Sequence, residues 1–205
     1  MVSLGMACAA NAQDCGPTLK RELLERKAAD QAARESLTAD PSSQEASDAT
    51  LRVDADNTAY MRRVLAKCGW PKRSIVGPDA ARAAWLLAQH ADMDPEFQVL
   101  AARQLKYAVH GGEADALDLA VLVDRNRRLN DQPQVYGMQH YSTADASIRF
   151  YDIVTPGQLD QRRKRIGLPP FFCWISDVSR QNKGAPVHWP EGVLFQPSSC
   201  DNEPR

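Results

Sequence analysis

His90 is the residue of this chain whose type and placement most invite chemistry. It stands in Gln89-His90-Ala91-Asp92, one turn after Leu86 in an apolar helical pattern, so its ring points to a core edge rather than freely into water. An imidazole so placed can act as general base or metal ligand. It can equally bond a backbone carbonyl and help to close the helix end. Asp124 falls one turn after Val121 and two after Leu117, which sets a carboxylate in line with an apolar stripe. An unpaired charge there costs several kcal/mol, so it needs a partner, from Arg125 or from the Arg162-Arg163 pair. Asp124 is then either half of a buried ion pair fixing helix register, or a group that orients His90 or binds substrate. Glu113 follows Gly111-Gly112 at a helix start, where a carboxylate is favoured by the dipole and can cap exposed amides. Gln134, Tyr136 and Gln139 flank Gly137; on a strand Gln134 shares the Tyr136 face and Gln139 takes the other. Amides and a phenol beside a glycine suit a polar ligand that approaches the backbone closely, or they satisfy one another inside a polar loop.

Other chemistries lack their motifs. There is no GxSxG elbow, no P-loop and no GxGxxG, which removes the signatures of acyl hydrolysis and of nucleotide and dinucleotide binding. No HExxH occurs, and His90, His110, His140 and His188 are too scattered to indicate a metal cluster, so neither metal nor cofactor is expected. The formal net charge of −1 argues against nucleic acid as a partner, since binding it leaves a basic imbalance. The basic runs at Arg125, Arg127 and Arg128 and at Arg162 to Arg165 read as solvated helix faces. No apolar run approaches the roughly 18 to 20 residues of a membrane span, so no integral membrane segment is expected.

The elements that must position these groups are mainly helical. Gly16-Pro17 opens a helix with Leu19, Leu23 and Leu24 on its apolar stripe, running to about Leu37. Residues 38–53, rich in Ser, Asp, Thr and Ala and containing Pro41, read as a linker. Asp54 or Asp56 caps the next helix, where Met61, Val64, Leu65 and Cys68 form a buried face that Gly69 ends. Three strong helices follow, from Pro78 to about Ala91, from Pro95 to Gly111-Gly112, and from Glu113 to about Arg128. Val135-Tyr136-Gly137-Met138 and Ile148-Arg149-Phe150-Tyr151 read as two strands around the turn Ser142 to Ala146. Thr155-Pro156 begins a basic helix that Gly167 closes. The remainder, 171–205, reads as an irregular arm packed by Phe171, Phe172, Trp174, Trp189 and Phe195. The expectation is a mainly α fold: one compact domain of about six helices, a small β-hairpin and that arm. Its parts are an N-terminal helix over 13–37, the linker, a core over 54–170 and the arm.

Residues 1–12 carry no charge, and Ala10-Asn11-Ala12 has the small-x-small form of a signal-peptidase site with Gln13 as first mature residue. A periplasmic or secreted bacterial-type protein is expected; without a signal the chain would be cytoplasmic. Cleavage there leaves four cysteines, Cys15, Cys68, Cys173 and Cys200. Three pairings are open to them, and Cys15–Cys200 with Cys68–Cys173 is the one favoured here.

From about Cys68 to Pro169 the chain resembles domain-of-unknown-function family 6624. The residues that carry the likeness are Gly69-Trp70-Pro71, Gly77, Ala84-Trp85-Leu86-Leu87, Gln89-His90-Ala91-Asp92, Phe97-Gln98, Glu113 and Asp124-Arg125. They continue with Gln134, Tyr136-Gly137-Met138-Gln139, Asp152, Asp160, Arg162-Arg163 and Gly167-Leu168, in the expected order. The family often has Thr where this chain has Met138. The resemblance implies a domain frequent in exported proteins and no established activity, with the arm after Pro170 outside it. Two functions fit. One is a binding or interaction module of the cell envelope, whose partner is a small polar ligand held by Gln89, Arg125, Gln134, Tyr136, Gln139 and Arg163, or an envelope protein. The other is a hydrolytic enzyme with His90 as general base, oriented by Asp92 or Asp124, and Glu113 as acid.

Overall fold

The computed structural model describes residues 15–197 and residue 200. The expected signal segment lies outside the described residues. Eight α-helices and one two-stranded hairpin make up the described fold. They are α1 (Pro17–Ala39), α2 (Gln44–Cys68), α3 (Arg73–Val76), α4 (Pro78–Gln89), α5 (Pro95–His110), α6 (Ala116–Leu129), α7 (Leu159–Arg165) and α8 (Phe171–Gln181), with β1 (His140–Ser142) and β2 (Ile148–Phe150) between α6 and α7.

Local chemistry sets the boundaries. Ser43 accepts a hydrogen bond from Ala46 N at 3.2 Å and so starts α2 at Gln44. This shortens the expected linker to Asp40–Ser43: the polar stretch after it is a solvent-facing first half of a helix, and its low hydrophobicity is what made it read as linker. Gly77, at φ +82°, both stops α3 and precedes Pro78 at the first position of α4. Asp94 accepts from Phe97 N at 3.0 Å and caps α5.

Helix α4 is the axis of the main core. Its Ala80, Ala83, Ala84 and Ala88 are completely buried, and these small side chains let α1, α2, α5 and α6 approach it. Leu19 and Leu23 of α1, Met61, Val64 and Leu65 of α2, Phe97 and Leu105 of α5 and Leu122 of α6 fill the space around it. Each such side chain stabilises the fold by about 1.5–3 kcal/mol through burial.

A second, smaller cluster joins Leu159 and Phe171 to Val193, with Phe150 and Trp189 against it. Phe171 and Phe172 begin α8, so the first part of the expected irregular arm is an 11-residue helix. The hairpin pairs His140 with Phe150 and Ser142 with Ile148, antiparallel. It therefore starts later than expected, because 135–138 is drawn away from a strand path to wrap a carboxylate. The cysteines pair as Cys15–Cys68 and Cys173–Cys200, not as the favoured alternative. The first bridge joins the start of α1 to the end of α2, which antiparallel packing brings side by side; the second ties the tail to α8.

Candidate functional site

His90 forms the C-terminal cap of α4, and its Nδ1 lies 2.9 Å from Asp30 Oδ1 and 3.1 Å from Oδ2. Asp30 sits on α1 with no exposure at all. Burial alone raises its carboxyl, but hydrogen bonds from His90 and Gln31 and the charges of His90 and Arg34 outweigh this and hold it below its ordinary range. Asp30 is therefore a carboxylate, and Nδ1 carries the proton that it accepts. Nε2 is left as the other face of the ring and makes no hydrogen bond among the described residues.

Arg34, one turn after Asp30, donates from Nη2 to both oxygens of Asp54 on α2, at 3.0 and 3.1 Å, and its Nη1 lies 3.5 Å from Asp30. Burial raises the Asp54 carboxyl above its usual range; Arg34 and His90 oppose this, and the charge of Asp30 adds to it. The side chains of His90 and Asp54 keep 13% and 15% exposure, so the cluster is closed at Asp30 and opens to solvent beside the other two.

The partners expected for His90 are engaged elsewhere. Asp92 is paired with Arg125 through contacts of 2.8 and 2.5 Å and accepts from Gln98 Nε2 at 3.3 Å. Gln98 also donates to the Gln89 carbonyl at 3.0 Å, and Asn126 donates to Gln98 Oε1 at 3.2 Å. This network locks the ends of α4 and α6 to the start of α5. Glu113 accepts from Ser74 N at 2.9 Å and Ser74 Oγ at 2.7 Å. It does cap an amide, but that of Ser74 in α3 rather than one of the helix that follows it.

Asp124 is fully buried, and its partners are neither Arg125 nor a histidine. It accepts from the backbone N–H groups of Val135, Tyr136 and Met138 at 2.6, 3.0 and 2.9 Å. Burial raises its carboxyl above the ordinary range, with those three donors and the charge of Arg163 in opposition. Arg163 is buried too, and its desolvation brings the guanidinium down to about 10. It donates to the carbonyls of Tyr136 at 2.6 Å and Pro169 at 2.8 Å and meets Met138 Sδ at 3.5 Å. Arg162 donates to the carbonyls of Val135 and Val154. The second basic run thus turns two arginines inward to serve backbone carbonyls. Gln134 donates to the carbonyls of Gln139 and Tyr151 and accepts from Gln139 N at 2.8 Å. Gly137 admits the ring of Phe171, which an added Cβ would meet at 2.7 Å.

A model of the family of unknown function DUF6624 matches residues 17–182. The chain belongs to this family. The DUF6624 match takes in all eight helices, and so reaches past the stretch on which the resemblance rests: α1 and α2 join it on one side and α8 on the other. Asp30, Arg34 and Asp54 accordingly lie inside the DUF6624 domain along with His90. Among curated proteins and among solved structures, nothing matches the chain.

Sequence reasoning missed Asp30, Arg34 and Asp54. A signal for Asp30 exists: it falls seven residues after Leu23, which continues the Leu19–Leu23 stripe onto a carboxylate, the same pattern that singled out Asp124. Asp54 carried no such mark, because the polar start of α2 hid which face was inward.

Proposed function

We propose that this DUF6624 domain is a binding module of the cell envelope that holds a small polar ligand against His90. One observation carries the reading. Asp92, Asp124, Arg125, Gln134 and Arg163 each satisfy a helix end, a backbone loop or one another. His90 is different: Asp30 fixes one ring nitrogen and leaves the other, at a partly open edge, as an acceptor. A ligand bearing an N–H or O–H donor fits that nitrogen. Buried one residue away, Gln89 Oε1 makes no hydrogen bond and is a second acceptor at the same helix end. Two disulfides support an oxidising, exported setting for the module.

The Asp30–His90 pair also favours a second reading, a hydrolytic enzyme in which His90 is general base and Asp30 is its orienting carboxylate.

Nitrogen-15 NMR of the histidine rings tests both. A panel of amino acids, amino sugars and short peptides is titrated into parent protein treated with chelator. The binding reading expects at least one of these to move the His90 Nε2 resonance, with affinity lost in His90→Gln. A panel that leaves Nε2 unmoved overturns it. Turnover of an ester or amide that depends on His90 would replace it with the enzyme.

A further inference from the structure

Three helices each bring one metal-ligating side chain to a single point. Asp30 of α1, Asp54 of α2 and His90 of α4 offer one ligand atom apiece, and these atoms lie within 4.8 Å of one another. Bonds of about 2.0–2.2 Å in a tetrahedral shell set ligand atoms about 3.3–3.6 Å apart, so these side chains have to close by up to about 1.5 Å to bring all three onto one ion.

Charge points the same way. Two carboxylates are withdrawn from water here, one of them completely, and Arg34 is the guanidinium between them. With His90 neutral the four side chains sum to one net negative charge. Arg34 does not complete the site by itself: its buried Nη1 makes no hydrogen bond and stands 3.5 Å from Asp30. The histidines alone gave no hint of such a site, since two of the three ligands are carboxylates from the first two helices.

We propose that Asp30, Asp54 and His90 form a binding site for a divalent transition-metal ion, of which Zn2+ is the best match. One imidazole with two carboxylates suits zinc or manganese, whereas magnesium and calcium favour shells built of oxygen. The ion takes His90 Nδ1, and the proton that stood there is carried on Nε2 instead, so the imidazole binds as a neutral ligand with no net loss of a proton. Arg34 stays on Asp54 and orients its carboxylate, as outer-shell donors do. Three protein ligands leave coordination positions open on the side where His90 and Asp54 reach solvent. The proposal goes beyond the binding reading above and does not depend on it: the ion is a separate occupant of the same opening in the fold.

The experiment uses the disulfide-bonded full chain, stripped with chelator and titrated calorimetrically with ZnCl2 at neutral pH, with MnCl2 and MgCl2 in parallel. One equivalent of Zn2+ is expected to bind and raise the melting temperature, with MgCl2 giving no heat. Affinity should fall by at least about 100-fold in His90→Gln and in Asp54→Asn, each checked for native circular dichroism. Asp54 keeps part of its surface in water, so Asp54→Asn is the safer of the two for folding. Absence of uptake overturns the proposal, as does uptake that both variants retain. The chelator-treated NMR titration reads the polar ligand without metal, so failure of the ion and failure of the binding reading are distinguishable.

Discussion

Asp30 and His90 stand sixty residues apart in sequence and 2.9 Å apart in the fold, a fully buried carboxylate against one imidazole nitrogen. Replacing Asp30 by Asn keeps the shape and removes the charge that fixes the proton on Nδ1. Long-range proton–nitrogen NMR of Asp30→Asn should show His90 leaving its single tautomer, and urea unfolding should show a loss of about 1.5–3 kcal/mol, the worth of a hydrogen bond to a charged group. An unchanged tautomer would mean that the backbone of α4, not Asp30, sets the ring.

Asp124 gathers three backbone N–H groups from one loop, and an amide cannot replace it. Asn offers one acceptor oxygen and turns its own N–H groups toward donors. Asp124→Asn should cost about 3 kcal/mol in urea unfolding, well above a surface substitution. A loss below about 1 kcal/mol would show that the loop holds without the carboxylate.

Gly137 combines φ +72° with a Phe171 ring where its Cβ would stand. Gly137→Ala should lower stability by about 2 kcal/mol or more, from backbone strain and from displacement of the ring. Thermal melting of Gly137→Ala beside Gly112→Ala separates the two causes. Gly112 has φ +72° as well but open space around its Cβ position, so it should lose less.

Asp145 is held down to about 2 by hydrogen bonds from Thr143 and Ser147 in the hairpin turn. Its folded value lies below the ordinary 3.8, so its contribution is complete above that value and is lost as pH falls through about 2. A carbon-13 NMR titration should place the Asp145 midpoint near 2 in the parent and nearer 3.8 in Thr143→Ala. Equal midpoints would remove Thr143 as the cause.

Periodicity and punctuation made the helices legible. Pro78 and Pro95 at helix starts, and the stripe Met61, Val64, Leu65, all stand where the pattern puts them. The beginning of α2 was hidden because an exposed helix and a linker share one composition, and only the Ser43 cap tells them apart. The hairpin shifted because Asp124 competes for the N–H groups of 135–138, a long-range demand that local alternation does not record. For the candidate site, His90 was visible and its partner was not. Asp92 is the nearer carboxylate in sequence, yet Arg125 claims it, and the one that reaches the ring comes from α1.

The Cys15–Cys68 bridge closes α1 and α2 into a covalent loop that contains Asp30, Arg34 and Asp54 and leaves His90 outside it. Leu19 and Leu23 are the fully buried apolar side chains of α1, and the bridge adds a covalent tie at the end of the helix where they lie. The acidic partners therefore lie within a covalent loop that an oxidising environment closes, and the imidazole lies outside it. In a chain whose thiols stay reduced, α1 is held to α2 and α4 by packing and by polar contacts, the Arg26–Asp56, Arg34–Asp54 and Asp30–His90 pairs among them. The geometry that sets a carboxylate on His90 is thus reinforced covalently only where the surroundings are oxidising enough for these two thiols to join.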